Sequence, residues 1–348
     1  MKNIPKTMHG VLLTGHGGLE KLEYKTDIPV PVPKADEVLI KVAAAGINNT
    51  DINTRTAWYS KYKSIAGGSW SGEPLNFPRI QGADVCGIIV SVGSKVNKSR
   101  IKERVIARTM QTDPKNSTSP NMITLGSELN GGFAQYVTIR SSETFSVNCK
   151  WSDAELGSIP CSYSTAEGLL HRVKLGAEKI FINGASGGVG SMAVMILNKL
   201  GCDVTAVTGK MDKAESLKKL GASTIIDRKE FDAEPKLLGK GIWDGVVDTV
   251  GGNILAHVIS QTKHSGIVAA CGNAGGIKIN TTVMPFIIRG VKLWGIDSSG
   301  SSIKRREFVW NEVAKLVDFS KLKSFTKELS FTELLETYPK LLKGEFTG

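Results

Sequence analysis

The chain has no run of about eighteen consecutive apolar residues, the length a helix needs to cross a bilayer, so no membrane span is expected. Cysteine is sparse. Cys86, Cys149, Cys161, Cys202 and Cys271 are scattered and odd in number, which argues against a disulfide framework and for reduced thiols in the cytoplasm. Histidine is equally sparse, and His9, His16, His171, His257 and His264 show no metal-ligand spacing. The opening MKNIPKTMHGVLL lacks the apolar core and small-residue cleavage site of a secretory leader, so none is expected. No internal repeat or low-complexity segment interrupts the chain. Among what is present, 41% apolar and 22% charged residues describe an ordinary globular protein, and the net charge is +11. The lysines are dispersed, and the densest basic clusters, KSRIKER and IKRR, have no interleaved aromatics. A solvated surface with some attraction for anionic cofactors is therefore favoured over nucleic-acid binding.

A length of 348 residues exceeds what one core usually supports, and two domains are expected. Residues 1–150 read as β-rich. In EVLIKVAAAGI, Val38, Ile40 and Val42 alternate as in a half-buried strand, and CGIIVSVGSKV and GGFAQYVTI repeat the pattern. Polar inserts at 60–78 and 111–130 read as surface loops. From about residue 152 the texture changes to strands alternating with helices, the pattern of βαβ units and a parallel sheet.

INGASGGVG lies between a predicted strand and a predicted helix, the context in which a glycine turn reads as a dinucleotide fingerprint. Gly187 and Gly190 occupy the second and third glycine positions, and Ala185 replaces the first. The turn Ala185, Ser186, Gly187, Gly188, Val189 and Gly190 would seat a pyrophosphate on the helix N-terminus. The next strand, CDVTAVTGK, ends without the acidic residue that NAD-binding folds place against the ribose hydroxyls. Its one acid, Asp203, stands at the beginning, and Thr208, Gly209 and Lys210 stand at the end. A hydroxyl, a backbone N–H and an ammonium there suit a 2′-phosphate, so NADPH is the expected cofactor, with Lys213 as a second charge.

GASGGVG, the upstream STAEGLL, VVDTVGG and the front-end GINNTDI and GADVCGII together resemble the medium-chain dehydrogenase/reductase superfamily, over essentially the whole chain. The branch resembled is that of the zinc-independent quinone oxidoreductases and 2-enoyl reductases. VAACGNAGG and TTVMPFIIRGVKLWGIDS are similar to acryloyl-CoA reductase-type members. The resemblance implies an α/β fold: a doubly wound Rossmann sheet over 154–298 and a GroES-like β-rich catalytic domain over 1–153, to which 299–348 returns. Members usually continue beyond GEFTG into a final strand. Members also pair through the last Rossmann strand, so a homodimer along GVKLWGI is expected.

Zinc-dependent relatives carry Cys where this chain has Asn48, and His-Glu where it has Ala83 and Asp84; no cysteine lies between Cys86 and Cys149 for a structural zinc. No metal is therefore expected. Without a Lewis acid, hydride transfer to a conjugated acceptor, a quinone or an enone, can still be assisted by neutral donors to the carbonyl oxygen. Asn48 is the candidate donor. Tyr59 falls where related enoyl reductases carry a proposed proton donor, and Asp51 and Arg55 match the quinone reductase pattern. Each has a plainer alternative: Asp51 suits a helix N-terminus, and Tyr59 suits packing. Thr165 matches a threonine near the nicotinamide in the family and Asn273 a cofactor contact, though Thr165 equally fits a helix interior. An acryloyl-CoA-type thioester reductase is the alternative activity. A zinc alcohol dehydrogenase conflicts with the ligand positions, and the intact cofactor motif argues against a pure RNA-binding role, which some zinc-less relatives are thought to have.

Overall fold

Val38, Leu39 and Ile40 are all buried in the strand β3 (Glu37–Ala44), where simple alternation would leave Leu39 exposed. The computed structural model, which describes residues 4–61, 74–113, 122–147, 149–158, 179–298 and 302–342, shows why. β3 is a central strand of a five-stranded antiparallel sheet with β5 (Cys86–Val92), β6 (Arg104–Ala107), β9 (Tyr136–Arg140) and β10 (Thr144–Ser146), in the order β10-β6-β5-β3-β9. Val38 and Ile40 join one core with Val85, Ile89, Val105 and Val137. Leu39 joins a second core with residues of a smaller sheet, β2 (Leu22–Pro29), β1 (Thr7–Leu13) and β4 (Arg79–Ile80). Leu39 is thus covered as well, while Lys41 and Ala43 on its face are exposed as alternation expects. The 111–130 insert is not wholly a surface loop: β7 (Met110–Thr112) pairs with β8 (Met122–Thr124), and Gln111, Thr124 and Leu125 are buried.

The chain divides into two compact units, Met1–Cys161 with Glu328–Glu345, and Ser162–Lys327 with Phe346–Gly348. The second holds a six-stranded sheet of β11 (Lys179–Ile182), β12 (Asp203–Thr208), β13 (Thr224–Asp227), β14 (Trp243–Asp248), β15 (Thr262–Ala270) and β16 (Lys292–Gly295). Every pair is parallel and the order is β13-β12-β11-β14-β15-β16, the doubly wound arrangement whose direction of winding reverses between β11 and β14. Ligands of such sheets bind outside the carboxyl ends of the strands at that reversal. Continuous apolar runs such as Ile180, Phe181 and Ile182 are wholly buried, as sheets covered on both faces require. Phe181 stacks at 5.4 Å from Phe231 and 5.1 Å from Trp243 in one of the cores.

The α-helices among the described residues are α1 (Asn49–Arg55), α2 (Asp153–Gly157), α3 (Gly188–Lys199), α4 (Ala214–Leu220), α5 (Gly252–Gln261), α6 (Met284–Arg289), α7 (Ile303–Leu316), α8 (Phe319–Leu322) and α9 (Phe331–Leu342). Among the described residues no helix is long and apolar enough to cross a membrane. The segment 299–348 is divided between the units. α7 packs on α3, α8 packs on α4, and the Asp318 N–H donates to Met195 Sδ at 3.4 Å, so residues through Lys327 stay with the second unit. α9 alone returns to the first, where Leu334 enters the core beside Leu39.

Candidate functional site

In the second unit, side chains lace the carboxyl ends of β11 and β14 together. Asn183, the residue after β11, is fully buried; its amide donates to Asp248 Oδ1, and its Oδ1 accepts the Thr249 N–H at 2.6 Å. Asp248 Oδ1 and Oδ2 accept the Gly251 N–H at 3.0 and 3.1 Å. Burial pushes the Asp248 carboxyl up, and the Asn183 hydrogen bond opposes the shift. Neither residue stood out in sequence, because the pair is 65 residues apart.

The glycine turn rises from this lacing. Gly184 has φ +56, and a Cβ on it would lie 2.2 Å from Thr249 Oγ1. A Cβ on Gly190 would lie 2.2 Å from the Gly184 carbonyl oxygen, so helix and turn touch only because position 190 is glycine. At Gly187, the N-terminal cap of α3, the nearest such atom is the Gly184 oxygen at 3.3 Å, which leaves the outer side of the turn open. Ala185 fits in the first glycine's place because it turns inward, fully buried, with its N–H donated to Val207 O at 3.1 Å. Gly188 and Val189 form the first turn of α3, whose N–H groups suit an anion.

At the end of β12, Thr208, expected to offer its hydroxyl to a 2′-phosphate, turns that hydroxyl toward the glycine turn. It is buried, its Oγ1 lies 2.8 Å from Ser186 Oγ, and it accepts the Lys210 N–H at 3.0 Å. Ser186 and Thr208 therefore tie the glycine turn to the strand end and hold the backbone of Lys210. Gly209 and Lys210 remain for a ligand. A residue that the sequence reading passed over joins them: a Cβ on Gly209 would lie 2.6 Å from Arg228 Nε, so this exposed guanidinium lies across Gly209. Arg228 ends the STIIDR stretch on the neighbouring strand, and the parallel order β13-β12 is the signal that could have found it. Burial lowers the Lys210 pKa, with Asp212 opposing and Lys213 adding to the shift. Asp203 lies at the opposite end of β12, where it accepts from Ser223 Oγ. Asn273 is exposed in the loop after β15, which bonds to the β14 end through Gly275 N–H to Val250 O at 2.7 Å. Thr165 lies outside the described residues. The open turn, the helix N-terminus and two cations at the β12 end together fit a dinucleotide bearing a 2′-phosphate.

In the first unit, Asn48, Asp51, Arg55 and Tyr59 gather on and around α1. Asn48 precedes the helix in extended conformation; its N–H donates to Asp51 Oδ2 at 2.8 Å, and its amide nitrogen donates to Asp84 Oδ2 at 2.9 Å. The Tyr59 hydroxyl lies 2.9 Å from Thr50 Oγ1, and its ring packs edge-on against Trp58. Asp51 and Arg55 are buried, with exposures of 2% and 1%. Asp51 Oδ1 accepts the Gly82 and Ala83 N–H groups at 3.1 Å each, which anchors α1 to the 82–83 turn. Burial pushes its carboxyl up to about 7 in spite of those donors. Arg55 Nη1 donates to Gly17 O at 2.9 Å and holds the other end of the helix. Asp51→Asn would set an amide N–H against a backbone N–H, and a loss of about 1–3 kcal/mol in urea melting is expected. A variant as stable as wild type contradicts the anchor. Among the described residues no group of three or more His, Cys, Asp or Glu could hold a metal ion.

A parallel doubly wound unit with a glycine turn, beside a unit of antiparallel sheets, is the architecture of nicotinamide-dependent dehydrogenases and reductases. The alcohol dehydrogenase GroES-like domain family matches residues 34–148, and the zinc-binding dehydrogenase family matches residues 188–320. YhfP of Bacillus subtilis (strain 168) is 34% identical over 336 residues, covering 94% of this chain and 93% of that protein. Its solved structure, with NAD bound, gives a TM-score of 0.79 over 98% of this chain and 97% of that one. The acrylyl-CoA reductase AcuI of Ruegeria pomeroyi is 40% identical over 179 residues, 51% of this chain and 54% of its own length. The structure of YhdH from Escherichia coli K-12 with bound NADPH gives a TM-score of 0.78 at 30% identity, covering 97% of this chain and 98% of that one. The chain belongs to the medium-chain dehydrogenase/reductase superfamily and is an oxidoreductase.

Proposed function

We propose that the chain is a zinc-independent reductase that uses NADPH to deliver hydride to quinones or enones. The observation that carries this reading is the cationic end of β12, where Arg228 lies across Gly209 beside Lys210 while the strand's one acid, Asp203, stands at the opposite end. When bound, the nicotinamide supplies the hydride. The N-terminal N–H groups of α3 receive the pyrophosphate, and Lys210 and Arg228 receive the 2′-phosphate. In the first unit, the Asn48 amide donates to the acceptor's carbonyl oxygen, whose negative charge grows as hydride adds to the conjugated carbon. Tyr59, held by Thr50, donates the proton that completes an enone's reduction at the α-carbon; with a quinone it protonates the oxygen, and the ring C–H formed by hydride addition is then exchanged through solvent for the second O–H as the product tautomerises to the hydroquinone. Similarity to AcuI favours a second reading, in which the same residues reduce a 2-enoyl thioester such as acrylyl-CoA. Turnover of 9,10-phenanthrenequinone, a simple enone and acrylyl-CoA, measured side by side with NADPH, tests both. Quinone or enone turnover is expected to lead; thioester turnover alone favours the second reading, and no turnover contradicts both.

The free thiols Cys86, Cys149, Cys202 and Cys271 suit a reducing cytoplasm. The chain is expected to form a homodimer. β16 ends the sheet, Trp294 on it is 37% exposed, and the residues before it expose Val283 (65%) and Ile287 (72%). An edge strand beside so much apolar surface is a self-association site. Light scattering at micromolar concentration should give twice the chain mass; a monomer contradicts this assembly.

A further inference from the structure

We propose that Asp84 is a positioning residue that fixes which end of the Asn48 amide meets the acceptor; this rests on the role given above to Asn48. Asp84 is fully buried, and each of its oxygens is held: Oδ2 accepts from Asn48 Nδ2 at 2.9 Å, and Oδ1 accepts from Thr109 Oγ1 at 3.1 Å. Both oxygens therefore act as acceptors, and the carboxyl takes the nitrogen end of the Asn48 amide rather than its oxygen end. A carboxamide nitrogen has two hydrogens. Asp84 takes one, and the other stays on the same nitrogen for the substrate oxygen. The backbone is shaped for this contact. A Cβ at Gly46 would lie 2.9 Å from Asp84 Oδ2 and 2.8 Å from Gly157 O, so the AAAGINN corner reaches the carboxylate because position 46 is glycine. Asp51 meanwhile holds the Asn48 main-chain N–H at 2.8 Å. Two buried carboxylates thus fix the backbone and the side chain of one residue, the kind of support that keeps a donor in a productive orientation. Sequence comparison with zinc enzymes hid this role, because position 84 was weighed only as a metal ligand.

Asp84→Asn keeps the shape and offers both donor and acceptor, so the Asn48 amide can turn its oxygen toward the acceptor. With NADPH and 9,10-phenanthrenequinone, kcat is expected to fall about 10- to 100-fold, while the NADPH Kd from fluorescence titration stays at the wild-type value. Thr109→Val, which removes the Thr109 donor to Oδ1, should lower kcat several-fold in the same direction. In an Asn48→Ala background, Asp84→Asn should change kcat by no more than about twofold, since both act through one group. Independent, additive losses would overturn the proposal. So would wild-type kcat in Asp84→Asn where Asn48→Ala is impaired. Wild-type kcat in Asn48→Ala would overturn the Asn48 role and this inference together. If Asp84→Asn fails to bind NADPH for want of a folded chain, Thr109→Val decides: a several-fold loss of kcat supports the proposal and an unchanged kcat overturns it.

Discussion

Asn48→Ala is expected to lower kcat about a hundredfold, with the NADPH Kd near wild type, because one preorganised donor to a developing oxyanion commonly contributes that much. The hydrogen bond strengthens as charge moves onto the oxygen, so its loss falls on the transition state and little on the ground state. The cofactor cradle, built from Gly184–Gly190, Lys210 and Arg228, belongs to the other unit and should be untouched. Steady-state kinetics with a quinone, together with NADPH titration, separates the two effects. Tyr59→Phe should cost less, since water can replace a phenol as proton source while the Tyr59 ring keeps its packing on Trp58. An Asn48→Ala enzyme with unchanged kcat would reduce the residue to its place at the start of α1.

The second large effect is expected at the β12 end. A charge-assisted contact contributes roughly 1.5–3 kcal/mol, so Lys210→Ala and Arg228→Ala should each weaken NADPH binding about 10- to 100-fold. Together they should weaken it by about 100- to 1,000-fold, somewhat less than the product, because both contact one phosphate. NADH lacks the 2′-phosphate, and its affinity should barely change. Burial lowers the Lys210 pKa, and an arriving phosphate dianion opposes that shift by favouring the ammonium. Equal weakening of NADPH and NADH in these variants would remove the phosphate from this site.

The sequence displayed the second unit most clearly. Its strands are apolar runs separated by helical stretches, and the INGASGGVG turn stands where strand and helix meet. Close packing at Gly190 was readable because only a glycine fits there. Partners distant in sequence were not readable. Asn183 and Asp248, Asn48 and Asp84, and Gly209 and Arg228 meet only after the sheets form, and none has a local signature. The contact of the Thr208 hydroxyl with Ser186 across the turn was hidden for the same reason, since strand order creates it. Asp51 drew notice as a carboxylate beside candidate catalytic groups, whereas its surroundings are three backbone N–H groups from α1 and the 82–83 turn. Position 39 shows the limit of periodicity: Lys41 and Ala43 on its face are exposed as alternation expects, but Leu39 enters a second core.

The central claim is that reduction proceeds by NADPH hydride and neutral donors without zinc. Metal analysis of the purified protein, followed by NADPH-dependent quinone turnover in excess chelator, tests it most directly. The account predicts no stoichiometric zinc and full activity in chelator; one zinc per chain, with activity abolished by chelation and restored by zinc, would contradict it.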